Sequence, residues 1–209
     1  LPLPLEAVLL LSGLQTAVLL ALAVALGVWL APRVGLRAPA VSSWLAGQPA
    51  GPALRAQLVP GLCGGVVGDA WLWLLSRLAP AALQPSDPAN AMPLAVKLLY
   101  GGITEELLMR WGVMTLLLWL GWRLLRRGHG QRRDGLVATA VLFSAVLFAV
   151  GHLPAAQAMA GVLTMPVVAF VLVGNTVFGL VAGGLFARHG LEAAIITHVL
   201  AHMLASLLL

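Results

Sequence analysis

Residues 93–127 read PLAVKLLYGGITEELLMRWGVMTLLLWLGWRLLRR. Almost the whole run is apolar, yet its centre carries Glu105, Glu106 and Arg110. On insertion scales each such charge costs roughly 2.5–3.5 kcal/mol at the middle of a membrane helix. Charges this close together are not retained there without a use, so they are read first as a functional site. As one helix the run would measure about 52 Å at 1.5 Å per residue, against roughly 30 Å for the hydrocarbon core of a bilayer. It must bend, with Gly101-Gly102 the weakest point, or extend into water at its arginine-rich end.

The rest of the chain agrees with a lipid environment. Of its 209 residues 61% are hydrophobic and 9% charged, and the mean hydropathy is +0.99. Soluble domains run at about 45–50% apolar and about 25% charged. The expected fold is an all-α, polytopic transmembrane helical bundle of about six spans, one domain over residues 1–209 with its motif-bearing core at about 93–209. The formal charge of +5 comes from connecting segments and reports topology, so no nucleic-acid partner is expected. Cys63 is the single cysteine and can form no internal disulfide. The chain begins at Leu1 without methionine, which fits a trimmed domain; its first apolar run is longer than a signal-peptide core and has no basic flank ahead of it.

Taking about 20 apolar residues per crossing, spans fall near 5–30, 57–79, 93–122, 135–152, 162–187 and 191–209. Pro32, Pro39, Pro49 and Pro52 break the first connection, leaving room for a short interfacial segment at Val41–Leu45, and Pro80, Pro85, Pro88 and Pro93 make the second a loop. Arg123, Arg126, Arg127, Arg132 and Arg133 form the densest basic cluster, which the positive-inside rule assigns to the cytoplasm. Arg33, Arg37, Arg55 and Arg188 then fall on the same side and the loop 80–92 on the other. The pairs Gly61/Gly65, Gly64/Gly68 and Gly179/Gly183 predict close helix packing. Trp44, Trp71, Trp73, Trp111, Trp119 and Trp122 are read as interface anchors or bulk.

On a helix, residues i and i+4 share a face while neighbours point about 100° apart. Glu106 and Arg110 therefore stack and neutralise each other. Glu105 meets only Leu108 and Met109 locally, so it must find a partner on another helix or stay protonated. One carboxylate is thus structural and the other available, unless all three charges simply hold the bundle together. Two downstream stretches supply partners. Phe148-Ala149-Val150-Gly151-His152 ends the fourth span, with Phe148 one turn before the histidine. Thr197-His198-Val199-Leu200-Ala201-His202 places two histidines on one face of the last span, which suggests a lined cavity or a metal site.

These blocks, in this order, resemble the intramembrane glutamic endopeptidases of the CAAX prenyl protease and bacteriocin-processing (CPBP, Abi) family. Its Glu-Glu-x-x-x-Arg signature is matched at Glu105, Glu106 and Arg110, and its Phe-x-x-x-His signature at Phe148 and His152. The third signature, His-x-x-x-Asn/Asp, is matched at His198 and departs at His202. The stretch Arg33-Val34-Gly35-Leu36-Arg37-Ala38-Pro39 is also similar, and the likeness covers roughly residues 30–209.

The resemblance implies peptide-bond hydrolysis by an activated water, without a metal cofactor. Glu105 would be the general base, His152 would hold the water beside it, and His198 would donate to the developing oxyanion. His202, or the amide of Asn175, would replace the missing Asn/Asp. The partners implied are the bilayer and a peptide or membrane-protein substrate, lipidated or not, for an integral protein of a prokaryotic cell membrane. Two alternatives stay open. One is a zinc-dependent membrane hydrolase using His152, His198 and His202 with Glu105; the other is a non-proteolytic membrane scaffold or immunity protein. Among the remaining polar residues, Asp69 is read as structural, bracing Arg110 or a backbone break. His129 and His189 are read as solvated, Glu192 as favouring the helix dipole and Lys97 as snorkelling.

Overall fold

A computed structural model describes residues 4–84, 92–125 and 134–208. Among them every regular element is helical. The helices are α1 (Leu5–Leu30), α2 (Pro39–Leu45), α3 (Ala50–Leu78), α4 (94–124), α5 (Asp134–Gly151), α6 (Leu153–Ala160), α7 (Met165–Arg188) and α8 (Leu191–Leu208). The chain is thus an all-α bundle, and five of its helical runs are long and apolar enough to cross a membrane. The sixth crossing expected is α4, the run that carries the charges.

Boundaries differ from expectation where proline and winding intervene. α3 begins at Ala50, not at 57, because Pro52 stands in the first turn, where its missing N–H had no intrahelical acceptor. After α5 the short helix α6 opens on Leu153-Pro154 for the same reason; it was not expected. The expected interfacial segment is α2. In α4 the winding widens in two segments. Lys97–Thr104, which includes Gly101-Gly102, and Leu107–Met114 are π-helical, a wider coil with i→i+5 bonds. Thr104 and Thr115 add side-chain bonds to the carbonyls five residues back, Leu99 and Arg110. Glu105 and Glu106 sit between the two π segments. Arg126, Arg127, His129, Arg132 and Arg133 lie outside the described residues.

Helix directions follow from the close pairs. α3 and α8 run parallel: Gly61 faces Ile196, Gly65 faces Leu200 and Gly68 faces Ala201. α4 runs antiparallel to α8, with Lys97 near Ser206, Gly102 near Val199 and Glu106 near His198. α5 and α7 are antiparallel through Gly179 against Ala145 and Gly183 against Val141. The glycine pairs read from the sequence are these seams. Trp111 is bulk in the core, its indole filling the space that a side chain at Gly27 would need, whereas Trp44 and Trp73 are exposed.

The α7–α8 corner is tied to the first connection. Gly190 takes φ 129 where a Cβ would meet Pro39 and Gln57. The Leu191 N–H donates to the Arg37 carbonyl and the Ala193 N–H donates to Gln57 Oε1. Glu192 Oε1 accepts from the Val41 N–H at 2.9 Å, so this carboxylate joins α8 to α2 as well as standing at a helix start.

The α3–α8 seam predicts a contrast between glycines. Gly64→Val drives its new methyl groups into Leu185 and Thr197 and should lower stability by about 1–3 kcal/mol. Gly13, with nothing within 4 Å of its Cβ position, should accept alanine with no loss. Thermal unfolding of both variants in detergent reads the difference.

Candidate active site

Glu106 and Arg110 lie on successive turns of α4 and are fully buried. Arg110 Nε is 3.2 Å from Glu106 Oε2. That is ion-pair distance, although none of the three guanidinium nitrogens has an aligned hydrogen-bond acceptor among the described residues. The guanidinium carbon also stands 5.0 Å from the ring centroid of Phe148 on α5, a cation–π contact that joins the two helices. The other carboxylate oxygen, Glu106 Oε1, is 2.8 Å from His198 Nδ1 on α8. One buried carboxylate therefore links its own helix to the last one.

Glu105 points elsewhere, as adjacent positions on a helix must. Its Oε1 is 3.9 Å from His152 Nε2 and its Oε2 is 4.0 Å from His198 Nε2. Both gaps exceed hydrogen-bond length and suit one intervening small group. His152 follows α5 and turns its Nδ1 to the Phe148 carbonyl at 2.8 Å. A carbonyl only accepts, so Nδ1 carries the proton and Nε2, in the neutral ring, presents a lone pair towards Glu105. Glu105, His152 and His198, from three helices, are thus brought together.

Aromatic packing holds the imidazoles. Phe148 lies edge-on to His152 at 4.5 Å and to His198 at 6.1 Å. Phe178 of α7 packs against His198 at 4.6 Å. His202 stacks on His198, centroids 4.8 Å apart and planes 26° from parallel. Asn175 also lines the site; its amide nitrogen donates one hydrogen to the Val171 carbonyl at 2.9 Å and keeps a second. Among the described residues no three His, Cys, Asp or Glu side chains are grouped as a metal ion requires. Asp69 forms no ion pair with Arg110, whose partner is Glu106; its Oδ1 is buried without a hydrogen-bond partner.

The cavity above these groups measures about 510 Å³. Glu105, His152, His198 and His202 line its polar side, while Leu72, Phe170 and Phe178 are among its apolar walls. Two contributors escaped the sequence reading. Gly101 is needed because a Cβ there would come 2.7 Å from His202 Nε2; its position four residues before Glu105 was the available clue. Phe178 left no such clue, since nothing in its own helix distinguishes it from other apolar residues.

The chain is thus an all-α membrane bundle in which a carboxylate and two imidazoles face one cavity. Residues 87–204, more than half of the chain, match the family model described as type II CAAX prenyl endopeptidase Rce1-like, and the chain belongs to that family. Comparison with curated proteins and with solved structures returns no match.

Two stability predictions follow from the packing of the site. Glu106→Gln strands the buried Arg110 and should cost roughly 3–5 kcal/mol, whereas Glu105→Gln, which breaks no direct hydrogen bond, should unfold at the wild-type temperature. Gly101→Ala should destabilise by about 1–3 kcal/mol through its clash with His202, and a His202→Asn background should remove most of that loss. Thermal unfolding of the single and double variants measures both, and additive effects of Gly101→Ala and His202→Asn would refute the second.

Proposed function

We propose that the protein is an intramembrane endopeptidase that hydrolyses a peptide bond with a water activated by Glu105 and His152. The observation that carries this reading is the 3.9 Å gap between Glu105 Oε1 and His152 Nε2. Both atoms are acceptors in the arrangement described above. A water about 2.8 Å from each gives both hydrogens to them and turns its lone pairs to the cavity. The water oxygen attacks the scissile carbonyl carbon while Glu105 takes one of its protons. The tetrahedral intermediate then collapses, the C–N bond breaks, and Glu105 returns that proton to the leaving amine.

The oxyanion needs a donor, and His198 Nε2 stands 4.0 Å from the other oxygen of Glu105. Its Nδ1 is already committed to Glu106, so donation through Nε2 requires the imidazolium form. A fixed donor of this kind contributes about 3 kcal/mol to the transition state. His202 stacks against His198 and holds its ring in place, the positioning role that falls to it in place of Asn or Asp. The substrate is a peptide or a membrane-protein segment, with or without a lipid, whose apolar flanks suit the cavity walls.

Purified protein tested on a panel of apolar peptides decides the reading. Glu105→Gln should abolish hydrolysis with the fold intact, and wild-type activity should survive a strong chelator. His202→Asn should keep activity. Stoichiometric zinc that is lost with activity in His202→Asn would install the metal mechanism. A Glu105→Gln variant as active as wild type would remove both hydrolytic readings, and a wild-type protein inactive on every peptide would favour a scaffold.

A further inference from the structure

We propose that Arg33 and Arg123, each seated on a tryptophan four residues before it, form a clamp for the phosphate of an anionic phospholipid. The clamp is independent of the hydrolytic reading and uses no residue of the cavity around Glu105.

The same short pattern closes two neighbouring helices. The chain leaves α1 through Trp29-Leu30-Ala31-Pro32-Arg33, and the last turns of α4 read Trp119-Leu120-Gly121-Trp122-Arg123. Gly112 meets Ala23 and Trp119 meets Trp29, so the two helices run side by side in the same direction. The two indoles touch, with ring centroids 6.2 Å apart. Each guanidinium then folds over the indole of its own segment. The Arg33 carbon stands 4.7 Å from the Trp29 centroid and the Arg123 carbon 5.9 Å from that of Trp119. Two guanidiniums are thereby held at the same end of a parallel helix pair. Packed helices stand about 8–10 Å apart, a gap that one phosphate bridges when each guanidinium donates to it at about 2.8 Å.

The stacking leaves the guanidiniums able to donate. A cation–π contact occupies the flat face of the group and spares the N–H groups at its edge. Arg33 gives one of these, from Nη1, to the Trp29 carbonyl, which fixes the fork further. Among the described residues neither arginine forms an ion pair. The charge around them is also one-sided. The Leu191–Arg37 and Ala193–Gln57 bonds bring Arg37, Arg55 and Arg188 to the same end of the bundle. The described acids at that end are Asp134 and Glu192, and Glu192 already accepts from the Val41 N–H. An excess of cations favours an anionic headgroup over a zwitterionic one.

The sequence sets the depth at which this happens. No charged residue lies between Glu6 and Arg33, and none between Arg110 and Arg123. Each indole therefore stands at the close of an uncharged run, the place where tryptophan sits at headgroup level. The arginine one turn further on reaches the phosphate layer, and a planar guanidinium grips phosphate through two parallel bonds. The acyl chains lie back along the uncharged runs. A third copy of the pattern, Trp73-Leu74-Leu75-Ser76-Arg77 at the finish of α3, puts one guanidinium over one indole at 4.9 Å. It supplies the control, because it carries the same stack without a second arginine beside it in the pattern.

Native mass spectrometry of the purified protein in detergent, titrated with phosphatidylglycerol or phosphatidylcholine, tests this without reference to activity. The wild type should retain one phosphatidylglycerol in preference to phosphatidylcholine. The double variant Arg33→Gln/Arg123→Gln should lose that preference and bind phosphatidylglycerol at least about tenfold more weakly. Arg55→Gln/Arg77→Gln removes the same charge from exposed positions outside the clamp and should bind as the wild type does. Arg33→Lys/Arg123→Lys should fall between, since an ammonium keeps the charge and loses the planar fork; it replaces the glutamine pair if that variant does not fold. Equal weakening in both glutamine pairs would show diffuse attraction and overturn the clamp, as would a lysine pair as tight as the wild type or no preference between the two lipids. Displacement of the bound lipid by an equal concentration of inorganic phosphate would show a site for free anions and overturn the lipid.

Discussion

The buried pairing of Glu106 with Arg110 and His198 is the interaction around which the rest is arranged. Two lone charges in a membrane helix would cost about 6 kcal/mol on insertion scales. At an effective dielectric constant of about 20, opposite charges 4 Å apart return about 4 kcal/mol. The pair alone falls short. The hydrogen bond from His198 Nδ1 to Glu106 Oε1 is charge-assisted and contributes about 1.5–3 kcal/mol, which closes the difference. The ion pair is therefore stable at that depth only when α8 is docked on α4, and docking α8 is what carries His198 to Glu105. Stability of the cluster and assembly of the site are the same event.

That docking depends on close approach, since lipid supplies little hydrophobic drive between helices. α8 lies between α3 and α4 and meets glycine on both sides. Gly61, Gly65 and Gly68 of α3 receive Ile196, Leu200 and Ala201, while Gly101 and Gly102 of α4 receive His202 and Val199. Cβ atoms at these positions would hold the last helix away from both neighbours, and a displacement of about 1 Å would break the 2.8 Å contact of His198 with Glu106. The π winding of α4 acts at the same place. It brackets Glu105-Glu106 with two wide segments, and such distortions concentrate at functional sites.

Much of this was legible in the sequence, and for identifiable reasons. Glu106 and Arg110 pair because of the i, i+4 rule, and Glu105 looks outward because its neighbours on that face are apolar. The three blocks and the glycine spacing required no tertiary information. What stayed hidden depends on contacts between distant segments or on local winding. Pro52 reads as a breaker until its place in a first turn is known, and the short α6 is masked by the break at His152. The buried Gln57 looks like an ordinary polar residue near a span boundary, yet it caps the start of α8. Asp69 invited a pairing with Arg110, but nothing in α3 alone says which helix its side chain faces.

The substitution at His202 shows how such a site absorbs a change. A larger ring replaces a short amide or carboxylate in the third block, and the space comes from Gly101, where no side chain competes. The ring then lies flat on His198 rather than reaching past it, since a centroid distance of 4.8 Å with planes 26° apart is stacking geometry. Phe178 and His202 both pack against His198, whose two nitrogens lie towards Glu106 and Glu105. In the proposed hydrolysis a donor fixed in this way would lose no reorganisation energy as charge develops on a substrate oxygen. Phe148 packs edge-on against the other imidazole and also carries the Arg110 guanidinium over its ring. The aromatic residues thus transmit the order of the buried ion pair to both histidines, which is why one apolar residue belongs in a block otherwise defined by its histidine.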